Sequence, residues 1–140
     1  MGLIDHSINK VVYRVVNKKR PVNLDISTIS MPVTAIVSIL HRVTGIILFI
    51  GLVFLFYAFD KSLSSQQGFD QVVEMLQSNF LAKFVVWGVV SALMYHFVAG
   101  VKHLFMDLGH FEELESGRAA AKANLVIAVV LILLAGVWIW

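Results

Sequence analysis

Residues 43–59 run VTGIILFIGLVFLFYAF, 17 positions without a formal charge. A membrane-crossing helix needs about 17–25 mostly apolar residues. Two further stretches repeat the pattern. Phe84 to Val101 gives 18 residues interrupted only by His96, and Leu125 to Trp140 gives 16 ending in Trp-Ile-Trp. With flanking turns the three reach spanning length at roughly 32–59, 80–106 and 119–140. The remainder of the chain agrees. Of its 140 residues 59% are hydrophobic and only 14% charged, against ~25% in soluble domains, and mean hydropathy is +0.83. A soluble bundle of three buried helices would need a polar face for water, and none of size is left. The first apolar run begins too late for a signal peptide. The expected architecture is all-α integral membrane: three transmembrane helices (32–140) behind an N-terminal interfacial segment (1–31), packed as a helix bundle.

Charge is placed unevenly. Through Arg42 there are six Lys/Arg and two Asp/Glu; beyond it, five and seven. Cytoplasmic loops collect Lys and Arg, so the asymmetry reads as orientation, and no nucleic-acid partner is called for. An N-terminus inside puts Lys10, Arg14, Lys18, Lys19, Arg20, Arg42, Lys102, Arg118 and Lys122 on the inner side and leaves Lys61 and Lys83 outside. The C-terminal tryptophans then anchor at the outer interface. Ser30 is the expected cap of the first spanning helix, with Pro32 in its opening turn. Before it, Ile4, Ile8, Val11, Val12, Val15 and Val16 recur at helical spacing opposite Lys10, Arg14 and Lys18, a basic amphipathic helix suited to the bilayer surface or a partner. The outer connection, about 60–79, is short and polar, too small for an enzymatic domain.

Polar groups inside membrane helices are costly and usually functional. Here they gather at Ser38, His41 and Arg42 on the first helix, and at His96, Lys102, His103, Asp107 and His110 around the second. Ser38 shares a helical face with His41 and Arg42. His96 lies six residues, about 9 Å, deeper than Lys102, where an imidazole needs a metal, a bonding partner or water. The chain has no cysteine, which removes disulfides and thiolate ligands. A deep imidazole with cations nearer the surface suits haem, whose iron takes an axial His and whose propionates take cations. A polar staple, with His96 bonded to a backbone carbonyl, accounts for the same residue. With one deep His, a six-coordinate haem takes its second ligand from another subunit, either a second copy of this chain or a different one.

Ser38 and Arg42 also suit a quinone head group, a hydroxyl donor and a fixed cation facing an oxygen that becomes anionic on reduction. An anchor on lipid phosphate is the alternative for Arg42. Gly45 and Gly51 form no small-xxx-small pattern, so a helix-pairing face there is not expected. Glu112, Glu113 and Glu115 make a solvated edge.

Two motifs carry a family resemblance. Arg20-Pro21-Val22-Asn23-Leu24-Asp25, Pro32-Val33-Thr34-Ala35-Ile36 and Ser38-Ile39-Leu40-His41-Arg42-Val43-Thr44-Gly45 form the first. His96-Phe97-Val98-Ala99-Gly100-Val101-Lys102-His103-Leu104-Phe105-Met106-Asp107 forms the second. Together with the three helices, over about residues 20–140, they resemble the cytochrome b membrane-anchor subunits of succinate dehydrogenase, respiratory complex II. The resemblance implies electron transport in the tricarboxylic acid cycle, with haem b bound by His96 and a second axial ligand from a small anchor subunit. It places His41 and Arg42 near the propionates and His103 near the haem edge. It implies a ubiquinone pocket at Ser38 and Arg42, walled by Ile26, Met31 and Ile39. Succinate oxidation belongs to a separate flavoprotein carrying FAD, joined through a subunit with iron–sulfur clusters. The implied location is the bacterial inner membrane, N-terminus cytoplasmic and C-terminus periplasmic. Lys102 departs from the family's usual Arg and lacks its bidentate fork. The segment before Arg20 is longer than in bacterial members. A fumarate reductase anchor and a haem-free structural anchor are the competing roles.

Overall fold

The computed structural model describes residues 28–140. Ile26 and the expected amphipathic helix lie outside the described residues. From Met31 onward the chain is one unit of four helices: α1 (Val33–Ser64), α2 (Gln66–Ser78), α3 (Phe80–Asp107) and α4 (Leu114–Ile139). No strand occurs among the described residues. α1, α3 and α4 are each long and apolar enough to cross a membrane, and each touches the other two.

The all-α membrane architecture follows from where the apolar side chains point. The interior is thin and made mainly of small residues, with Ala92, Ala99, Ala121 and Ala128 buried beside Val37 and Tyr95. Outside it stand Phe49, Phe56, Leu133 and Val137, all largely exposed. In water this surface would be ruinous; against acyl chains it is the solvated face, and small residues are what let membrane helices approach. Gly51 serves the same end. A Cβ there would sit 2.8 Å from a methyl of Val89, so α1 and α3 meet at this point because the side chain is missing.

The helix boundaries have local causes and include two corrections. Ser30 does not cap α1. Pro32 is the N-cap, and its carbonyl accepts from the amides of Ala35 (3.0 Å) and Ile36 (3.2 Å); proline fixes φ and offers no amide needing a partner. The outer connection is not simply a polar loop. α1 runs on to Ser64, Ser65 turns extended and its Oγ accepts from the Gly68 amide at 3.0 Å, and α2 fills most of the remaining distance. Its Phe69, Val72, Val73 and Leu76 recur at helical spacing among Gln66, Asp70 and Glu74, the pattern of a helix with one apolar stripe. Asn79 then opens α3, its Oδ1 accepting from Leu81 N (2.9 Å) and Ala82 N (3.1 Å).

α3 stops at Asp107, where Gly109 takes φ +82° and Phe111 φ +63°. The Gly109 amide donates to Met106 O at 2.9 Å and that of His110 to Phe105 O at 3.0 Å, satisfying carbonyls the helix end would leave bare. His110 is thereby carried off the helix and sits against the rings of Phe105 and Phe111, away from His96 and His103. At the opposite end Trp140 packs against Phe80 with ring centroids 4.9 Å apart, and the Lys83 ammonium lies 5.8 Å from its ring.

Candidate functional site: the histidine seam between α1 and α3

Three imidazoles meet where α1 faces α3. The rings of His41 and His96 stack at 4.1 Å with 20° between their planes, and His103 lies 5.1 Å from His41 at 42°. His96 and His103 are seven residues, two turns, apart on α3, so both reach the face that α1 covers. His41 enters between them from the other side.

The His96 ring is held by backbone. Its Nδ1 lies 3.1 Å from the carbonyl oxygen of His41 and 3.3 Å from Thr44 Oγ1. A carbonyl has no hydrogen to give, so Nδ1 is the donor, and a neutral ring then carries its lone pair on Nε2. The Thr44 hydroxyl is itself turned back to Leu40 O and His41 O, each at 2.9 Å, which leaves its oxygen facing the ring as an acceptor. Nε2 has no hydrogen-bond partner among the described residues. The staple expected as an alternative is therefore present, yet it uses only one of the two ring nitrogens.

Space for the seam comes from two glycines. A Cβ on Gly45 would meet His96 Cε1 at 3.2 Å, and one on Gly100 would meet His41 Nε2 at 3.6 Å. Next to the seam Tyr95 Oη donates to Val37 O at 3.1 Å, pinning α1 to α3 one turn before His41. Spacing alone does not mark Thr44, Gly45 or Tyr95; the Thr and Gly sit within the HRVTG run that carries the family resemblance, and Tyr95 immediately precedes His96.

Ser38 and Arg42 lie one residue beyond Val37 and His41, so they flank the seam rather than enter it. Ser38 is half-buried and Arg42 exposed. Met31 and Ile39 present exposed apolar surface on the same end of α1. Lys102, by contrast, is 8% exposed. No group of three or more His, Asp or Glu able to hold a bare metal ion occurs among the described residues.

Three helices able to span a membrane, with a backbone-braced histidine where two of them meet, define a class: α-helical membrane proteins with a polar site between their helices. Residues 16–135 match the family described as succinate dehydrogenase/fumarate reductase transmembrane subunit, and the chain belongs to it. It is 41% identical over 124 residues to the succinate dehydrogenase cytochrome b556 subunit of Coxiella burnetii, covering 89% of this chain and 99% of that one. The like-named subunit of Paracoccus denitrificans is 30% identical over 82% of this chain and 88% of its own length. The succinate dehydrogenase cytochrome b560 subunit of Reclinomonas americana is 30% identical over 71% and 72%. These relatives are subunits of an oxidoreductase complex, so this chain is a membrane subunit of that kind.

Proposed function

We propose that this chain anchors a succinate:quinone oxidoreductase in the bacterial inner membrane, binding haem b between itself and a small anchor subunit and forming part of the ubiquinone-reduction site. The observation that carries the reading is the 3.1 Å contact between His96 Nδ1 and the carbonyl oxygen of His41. Metal-bound histidines characteristically donate their other ring nitrogen to a backbone carbonyl or carboxylate, which fixes the ring and raises its basicity. His96 already makes that bond, and its Nε2 has no partner among the described residues. A single imidazole does not bind a loose ion well, but it suits an iron already held by a macrocycle, and Gly45 makes the room in which the braced Cε1–Nδ1 edge of the ring packs. The b-type cytochrome naming of the relatives supports the same cofactor.

Bound haem b supplies a one-electron centre. The chain's own residues would hold it: His96 would give the lone pair, His41 and Arg42 would offer donors and positive charge to propionates, and His103 would stand beside them. Ser38 donates a hydrogen bond to a quinone carbonyl. Arg42 stabilises the negative charge that develops there on reduction. Met31 and Ile39 supply apolar wall, with Ile26 assigned the same part. The second iron ligand, the flavoprotein with FAD and the iron–sulfur subunit reside on partner chains. The Lys/Arg bias supports a cytoplasmic N-terminus and a periplasmic C-terminus.

The test is a reduced-minus-oxidised spectrum of the purified complex with its subunits identified by mass spectrometry. A sharp b-type α-band that disappears or falls severalfold in His96→Ala is expected. An intact complex without haem overturns the cofactor assignment and leaves a structural anchor. The family includes fumarate reductase anchors, and a quinol:fumarate rate exceeding the succinate:quinone rate would reverse the assigned direction.

A further inference from the structure

On the far side of α3 from the seam, α3 and α4 enclose a groove of about 190 Å³ lined by Val98, Lys102, Phe105, Phe111, Asn124 and Ile127 among others. Its two polar residues are both more than nine-tenths buried, Lys102 at 8% and Asn124 at 2% exposure. Neither amide atom of Asn124 has a hydrogen-bond partner, and Lys102 forms no ion pair among the described residues. Lys102 buries its stem along the groove while its ammonium reaches accessible space, and the unmet buried amide of Asn124 costs about 1–3 kcal/mol. An unmet amide beside a cation without an ion pair marks a place for something else.

The chemistry of the missing group follows from the donors and acceptors. Lys102 and the Asn124 Nδ2 are donors, and the ammonium asks for an anion. Asn124 Oδ1 is an acceptor and asks for a hydroxyl or N–H. A water could meet the amide but would leave the charge uncompensated. The rest of the lining, Val98, Phe105, Phe111 and Ile127, asks for hydrocarbon. We propose that this groove holds one anionic phospholipid, its phosphodiester on Lys102 and the Asn124 amide nitrogen, its headgroup hydroxyl on the Asn124 carbonyl, and an acyl chain along the apolar wall. Basic pockets between membrane helices are recognised sites for anionic headgroups.

The experiment uses the assembled complex in nanodiscs of phosphatidylcholine, with and without phosphatidylglycerol, and counts retained lipids by native mass spectrometry. The wild type is expected to retain phosphatidylglycerol in preference to phosphatidylcholine, and Lys102→Arg to do the same. Lys102→Met and Asn124→Leu should each bind it about tenfold more weakly, the loss of one charge-assisted or buried hydrogen bond. Equal retention by wild type and Lys102→Met overturns the proposal. So does a Lys102→Met complex that sheds a protein subunit with its lipid count unchanged, since the counter-ion is then a neighbour's carboxylate. Loss of haem absorbance with phosphatidylglycerol still retained assigns the ammonium to the haem edge and also overturns it. Should the variants fail to assemble, the wild-type exchange decides alone: no preference for phosphatidylglycerol ends the proposal.

Discussion

At the scale of the residue, the chain's chemistry turns on which nitrogen of His96 holds a proton. The carbonyl of His41 settles it, because a backbone acceptor 3.1 Å away forces Nδ1 to be the donor. Ser38 and Arg42 carry the other half of the proposed function, one turn apart on α1 and outside the histidine seam. Replacing Ser38 by Ala should therefore lower the quinone-reduction rate on the order of tenfold, the worth of one hydrogen bond to a charged group. Succinate oxidation by an artificial acceptor, and the haem spectrum, should stay within twofold of wild type. Steady-state assays with the two acceptors check this; a parallel fall in both would mean failed assembly. His96, His41 and Ser38 were legible in the sequence because a polar side chain in hydrocarbon is conspicuous whatever it touches. Thr44 and Tyr95 were not. Their roles depend on how α1 and α3 are rotated about their axes, and spacing along one helix says nothing about the rotation of another.

At the scale of the element, the pairing of α1 with α3 rests on what two glycines leave out. Gly45 and Gly51 showed no small-xxx-small pattern and gave no reason to expect a pairing face. They stand six positions apart, however, and each admits a different side chain of α3, His96 for the one and Val89 for the other. A Gly51→Ala substitution should force the helices apart and destabilise the complex by about 1–3 kcal/mol. Restoring the lost volume with Val89→Ala should recover most of it. Thermal denaturation of the single and double variants measures the coupling, and additive effects would show that the helices do not meet there. The outer connection illustrates the opposite limit of sequence reading. Polar composition suggested a loop, yet the 3.6-residue recurrence of Phe69, Val72, Val73 and Leu76 was already written within it; length and polarity outweighed period, and α2 is what resulted.

At the scale of the whole molecule, three spanning helices and an uneven charge distribution make a claim about sidedness. The absence of cysteine allows a clean check, because any introduced thiol is the only one in this chain. With the N-terminus inside, a membrane-impermeant maleimide should label Gln67→Cys in intact spheroplasts and Glu113→Cys only after lysis. The reverse pattern would overturn the assigned orientation. The broad apolar exposure of α1 is the bundle's other large-scale property. Ile46, Phe49, Val53 and Phe56 are each at least 60% exposed, which fits a surface in contact with lipid or with helices of neighbouring subunits.

Only six residues, 108–113, separate α3 from α4, and the tight turn at Gly109 and Phe111 folds one back on the other. Fully extended, six residues reach only about 20 Å, short of the ~30 Å hydrocarbon core. The link cannot itself cross a bilayer, so α3 and α4 are bound to traverse it in opposite directions, and the sidedness of either helix dictates that of the other.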